Sequence, residues 1–201
     1  MEDKSDIKIL KEFAKSTNRA IHAKEVPYPL PKLRVQTILK FKRTVCIPNN
    51  PEKSSFYVCV NDKYSKIGES TVYSGSFIPL PSKTKSRVTL RKRNILDKLN
   101  IFSKPNGIGV SYFDSNVVIS GDIDQELKKI LYRSQVQKEI IDALKIESNT
   151  EILIGQYRID FIPELSIGPH LSILNRYGWE TDKNKIEKYF YHIEKIREAI
   201  R

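Results

Sequence analysis

The stretch Leu33-Arg-Val-Gln-Thr-Ile-Leu-Lys-Phe-Lys-Arg-Thr-Val-Cys-Ile47 decides how this chain reads. Leu33, Val35, Leu39, Phe41, Val45 and Ile47 fall on one side of a period of two, with Thr37 and Arg43 among them. Lys32, Arg34, Gln36, Lys40 and Lys42 fall on the other. Side chains alternate across a strand, so the spacing predicts a long strand with an apolar back and a basic front. Its length exceeds that of an ordinary strand, which implies a curved sheet or a bulge near Arg43.

Working outward, Asp6–His22 has weak helical periodicity, and Val26-Pro-Tyr-Pro-Leu-Pro31 reads as a proline-punctuated link. Pro48-Asn-Asn-Pro51 is a turn signal. Phe56–Val60, Thr71–Leu80 and Arg87–Arg93 read as further strands, with Arg91–Leu99 open to an alternative reading as a short helix. Gly107–Ser120 predicts a hairpin around Asp114-Ser-Asn116. A helical stretch runs from Asp122 to Glu147, broken near Ser134, where Ser134-Gln-Val-Gln137 has the form of a capping box. A second hairpin is expected from Ile152–Ile154 and Tyr157–Ile162 around Gly155-Gln156, leaving His170 in a loop. Thr181 then caps a final amphipathic helix that buries Ile186, Phe190, Ile193, Ile196 and Ile200. The expected fold is α+β in one domain, residues 1–201, with a curved, largely antiparallel sheet and helices mainly in the C-terminal half.

At 39% hydrophobic residues the chain can bury a core without disulfides or a structural metal. Cys46 and Cys59 sit in strand-like segments, no Cys/His group has zinc-ligand spacing, and both read as buried thiols of an intracellular protein. No apolar run reaches transmembrane length, and Met1–Lys15 carries charges where a signal peptide would be apolar. These features predict a soluble, cytoplasmic protein with no membrane partner. The formal net charge is +11. Residues 1–105 hold 22 Lys and Arg against 9 Asp and Glu, a net of +13, while residues 106–201 hold 13 against 15, a net of −2. So one-sided a distribution points to a polyanion, and without a basic amphipathic helix it points to nucleic acid.

Two basic strips are the candidate phosphate contacts. The first is the strand front of Lys32, Arg34, Lys40 and Lys42; the second is the run Lys83, Lys85, Arg87, Arg91, Lys92, Arg93 and Lys98. Residues two apart on a strand stand roughly 6–7 Å from each other, near the phosphate spacing of a nucleic-acid strand. The alternative is that these lysines only protect sheet edges from aggregation. In Lys66-Ile-Gly-Glu-Ser-Thr-Val-Tyr-Ser-Gly-Ser76, Glu69 offers a general acid or base, and Tyr73 a stacking surface or proton donor. A polar loop with one buried tyrosine is the competing reading. Arg158 beside Asp160 suits a nuclease strand or a salt-bridged sheet, and His170 could orient a water or be inert. His22 and His192 read as structural or exposed.

Two resemblances arise at these residues. Gln137-Lys-Glu-Ile-Ile-Asp-Ala-Leu144 followed by Gly155-Gln-Tyr-Arg-Ile-Asp-Phe-Ile-Pro163 resembles the opening of a PD-(D/E)XK nuclease core. That resemblance implies Mg²⁺ held by Glu139, Asp160 and Glu164, although Glu164-Leu-Ser166 stands where the family has Glu-x-Lys. Lys32-Leu-Arg34, Glu69 and Tyr73 are similar in type and order to the active-site elements of R.PabI-type restriction proteins. This second resemblance implies a half-pipe sheet and a homodimer that cuts double-stranded DNA by excising adenine, without metal or cofactor. Tyr73 would line the base pocket, Asp160 or His170 would position water, and Lys32 and Arg34 would hold flanking phosphates. A non-catalytic nucleic-acid-binding or viral structural protein is the reading from a different class.

Overall fold

The structure, a computed structural model, describes residues 3–27, 41–62, 67, 71–81, 83–99, 107–157 and 159–201. The elements follow in the order α1 (Asp3–Ser16), β1 (His22–Pro27), β2 (Phe41–Pro48), β3 (Phe56–Asn61), β4 (Val72–Pro79), β5 (Val88–Lys92) and α2 (Ile95–Leu99). Then come α3 (Ser111–Asn116), β6 (Val117–Ser120), α4 (Gln125–Leu131), α5 (Ser134–Ala143), β7 (Thr150–Gly155), α6 (Pro163–Ser166), β8 (His170–Asn175) and α7 (Lys183–Ile200). The eight strands form one sheet in the order β1-β2-β3-β4-β8-β7-β5-β6, and every adjacent pair is antiparallel. The α+β class therefore holds, with most helices in the C-terminal half.

The period-two pattern sorts the strand residues onto two faces. Val45, Ile47, Tyr57, Cys59, Ile78, Val88, Leu90, Ile152, Ile154, Leu171 and Ile173 point to one face and join a core shared with α1, α3, α4, α5 and α7. Helix α7 contributes Ile186, Tyr189, Phe190, Ile193, Ile196 and Ile200 at helical spacing, and the Tyr57 ring lies against Tyr189 and Phe190. The opposite face carries a smaller core of Cys46, Phe56, Val58, Val60, Tyr73, Phe77, Leu153 and Leu174. Its cover is Ile67 and the segment from Tyr157 to Leu165, which includes only the single turn α6. The larger described helices thus share one side of the sheet, and among the described residues the other side is helix-poor.

Several local expectations give way. The strand expected over Leu33–Ile47 is described from Phe41 as β2, and its earlier part lies outside the described residues. Helix α1 ends at Ser16, and His22–Pro27 instead pairs with β2 as an edge strand. All six of its residues are exposed, so no burial period marks it. The hairpin expected over Gly107–Ser120 is α3 followed by β6. There the Asp114 carboxylate accepts bonds from the backbone amides of Ile108 and Gly109, tying a turn where a first arm would run. The hairpin expected at Gly155-Gln156 is not formed by the described residues: β7 pairs with β5 and β8, while Tyr157 and residues 159–162 lie outside the sheet. The cap of α7 is Asp182, whose carboxylate accepts from the Asn184 and Lys185 amides, rather than Thr181. Helix α5 starts without a side-chain cap, and Gln137 donates instead to the Leu131 carbonyl.

One carboxylate holds the approach to β5. Asp124 Oδ2 accepts from Thr84 Oγ1 at 2.7 Å, Lys85 N at 2.8 Å and Ser86 N at 3.2 Å, and Oδ1 accepts from Leu127 N at the start of α4. Burial pushes this carboxyl's pKa up, but the hydrogen bonds outweigh it and hold it well below the usual range. Thr84 and Ser86 are buried, so Lys83, Lys85 and Arg87 alternate outward. Asp124→Ala removes both a helix cap and the charge-assisted bonds, and is expected to cost about 2–3 kcal/mol in a urea titration. Asp124→Asn, which keeps the cap acceptor, should recover part of that loss.

Candidate nucleic-acid interface

The cations of the expected strips can be placed on the two faces. Lys42 precedes Thr44 and Cys46 on the helix-poor side of β2, and its ammonium lies 2.7 Å from the buried carboxylate of Asp62. In β1, Lys24 pairs in register with Thr44 and is exposed beside it. In β5, Val88 and Leu90 point to the helices, so Arg87 and Arg91 point the other way. Arg91 forms a two-pronged pair with Asp97 at 2.7 and 2.5 Å, and each group is stabilised in its charged form by that bond. Lys92 is exposed at the strand's end, and Arg93 donates through Nε to the Asp114 carbonyl. Lys32, Arg34, Lys40, Glu69 and Arg158 lie outside the described residues, and the Lys98 side chain is likewise undescribed.

Besides Lys24, two residues join this face that the sequence does not single out. Arg176 follows β8 on the side of Leu174 and His170, and bonds Glu151 at 2.5 Å. Tyr157 is half-buried; burial raises its phenol pKa, while Arg87 and Arg176 both act to lower it. The phenol therefore lies within the field of two guanidinium groups. Gly155 makes room there: a Cβ at this position would stand 3.1 Å from Arg87 Cγ. The sequence does not mark Arg176 for this face, because the buried run from His170 to Leu174 shows no alternation.

Of the expected catalytic residues that the structure describes, His170 and Tyr73 do not meet. His170 is a β8 residue, not a loop residue, and it is 1% exposed. Its ring sits between Phe77 and Tyr157 at centroid distances of 5.6 and 5.5 Å, and neither ring nitrogen has a hydrogen-bond partner among the described residues. Burial holds its pKa down to about 4, so the ring is neutral near pH 7. Tyr73 is also fully buried, in the same cluster as Ile159 and Ile162. His170 is paired with Pro79, six residues along β4 from Tyr73, so the two stand about 20 Å apart. Asp160 is exposed on the turn beyond Ile159. A water held by His170 thus cannot also touch Tyr73.

The acidic trio of the nuclease resemblance is divided by the sheet. Glu139 is buried in α5, accepts from Gln135 Nε2 at 3.0 Å, and faces His192 Nδ1 at 3.3 Å. Asp160 and Glu164 belong to the segment covering the other face. Among the described residues no cluster of three His, Cys, Asp or Glu could hold a metal ion. Cys46 and Cys59 are free and buried as expected; burial pushes the Cys46 thiol up to about 12, and Cys59 well above its ordinary value. Neither is an activated nucleophile. Comparison with known protein families, curated proteins and solved structures finds no match to this chain. No described helix is long and apolar enough to cross a membrane.

What the geometry does assemble, among the described residues, is one face carrying five cations, of which Lys42, Arg91 and Arg176 are ion-paired with Asp62, Asp97 and Glu151. Lys24 and Lys42 flank one side of the covering segment, and Arg87, Arg91 and Arg176 flank the other. From β2 to β5 the sheet spans five strand spacings, about 24 Å.

Proposed function

We propose that this chain binds double-stranded DNA along the helix-poor face of its sheet, with the two groups of cations on the phosphates of the two strands. The observation that carries the reading is the shared face. Residues from β1, β2, β5 and the end of β8, distant in sequence, present Lys24, Lys42, Arg87, Arg91 and Arg176 to the same side. Phosphate contacts of this kind position a protein on duplex without reading sequence. The direct test is fluorescence anisotropy of a labelled duplex over a salt series. Binding that weakens steeply with added salt supports the reading; no binding even at low salt overturns it.

A second reading adds restriction-type catalysis: a homodimer on a short palindrome that excises adenine without metal and leaves breaks. Its support is that Tyr73 and the Ile159 beside Asp160 belong to one packed cluster, which brings two of its candidate residues to the same region. His170, about 20 Å from Tyr73, takes no part in this scheme. Incubation with duplex in EDTA is the test. Abasic sites or breaks under chelation favour the glycosylase; cleavage that depends wholly on Mg²⁺ rules it out.

A further inference from the structure

A cleft of about 740 Å³ opens at the edge of the cationic face, where β5 ends and β7 begins. Arg91 and Glu151 belong to both, so the face runs into the cleft without a break. Its other walls combine two kinds of chemistry. Lys92 and Arg93 supply positive charge, while Ile95, Leu96 and Tyr177 supply apolar surface that is 75%, 73% and 78% exposed. Single exposed apolar side chains are ordinary, but three around one cleft with two cations are not.

Tyr177 is fixed from below. Its backbone amide donates to Asn175 Oδ1 at 2.9 Å, and that same oxygen accepts from Asn149 Nδ2 at 3.2 Å. The ring is therefore carried on an ordered turn although it is open to solvent. An exposed aromatic ring on an ordered turn beside cations matches what an unpaired nucleotide needs, because every base has a face to stack and every link carries a phosphate. Inside a paired duplex every base is stacked on both faces and offers none to the ring.

The geometry points to this cleft as a subsite for single-stranded DNA, an overhang or a strand displaced from the bound duplex, with Tyr177 stacking a base and Lys92 and Arg93 on its phosphates. The inference rests on the duplex-binding reading and extends it.

The test compares a blunt duplex with the same duplex carrying a short single-stranded tail that contains 2-aminopurine. Wild-type protein should bind the tailed form roughly ten-fold more tightly and quench the tail's fluorescence. Tyr177→Ala should erase both effects while binding blunt duplex as before, and Tyr177→Phe, which keeps the ring, should retain both. Equal affinity of the wild type for the two duplexes overturns the inference and leaves the duplex reading standing. So does a tail preference that survives Tyr177→Ala. Failure to bind the blunt duplex is a separate outcome, and it removes the duplex reading itself.

Discussion

Replacing Lys24 and Arg87 together with Gln is expected to weaken duplex binding roughly 60-fold near 0.1 M salt. The figure follows from counterion release: affinity varies as salt concentration to about the −0.9 power per phosphate contact, so each contact contributes about eight-fold at 0.1 M. The pair takes one cation from each side of the face. Both side chains are exposed, so their loss should leave the fold unchanged. The slope of log affinity against log salt should fall in magnitude by about two. The informative control removes two exposed cations from the helix layer, Lys8 of α1 and Lys188 of α7. If binding follows location, this control binds as wild type does. An equal loss in the control would mean that only the net charge matters, and the face would then have no special standing.

The sheet face was legible in the sequence because period two is a strong local signal. Val45 and Ile47 against Lys42, or Val88 and Leu90 against Arg87 and Arg91, sort themselves without tertiary knowledge. The two cysteines and the final helix were equally readable, since burial there follows from a single element's own pattern. What failed were pairings between distant segments. Strand β8 is almost continuously buried, from His170 to Leu174, and a buried run carries no alternation to betray its strand. Its true neighbours, β4 and β7, are far away along the chain. With β8 unseen, β7 had no partner, and Tyr157–Ile162 was the nearest apolar segment to supply one.

The same error misplaced the candidate site. Once Tyr157–Ile162 leaves the sheet it becomes the cover of the second core, and Asp160 moves from a strand face to an exposed turn. Arg158, read beside Asp160 from the strand alternation, lies outside the described residues. His170 moves the other way, from a solvent-facing loop into the core. Long-range pairing determines which polar residues meet, so a site built from loops and strand ends is the part of a fold least visible in local sequence.

His170 should make stability fall with acid more steeply than the rest of the chain does. An unperturbed histidine titrates near 6.5, whereas burial holds this one down to about 4 in the folded protein. Between those values the unfolded chain binds a proton that the folded chain does not, so unfolding gains as pH falls. Above about 6.5 the ring is neutral in both states and costs nothing electrostatically. The loss begins as pH drops through the unfolded value and is complete below the folded one. It amounts to about 3 kcal/mol, taking 1.36 kcal/mol per pKa unit. Urea titrations from pH 7 to pH 4 on wild type and His170→Phe measure it directly. Phe should keep the ring packing against Phe77 and Tyr157, remove two unpaired buried nitrogens, and flatten the profile over this window. Matching profiles for the two proteins would show that His170 does not carry the acid sensitivity. The comparison is meaningful at pH 7 as well. Unpaired buried polar atoms cost roughly 1–3 kcal/mol each, so the Phe variant should be at least as stable as wild type there. A His170→Phe protein clearly less stable at pH 7 would mean that the ring nitrogens are satisfied in solution, by water or by a group that the packed face admits.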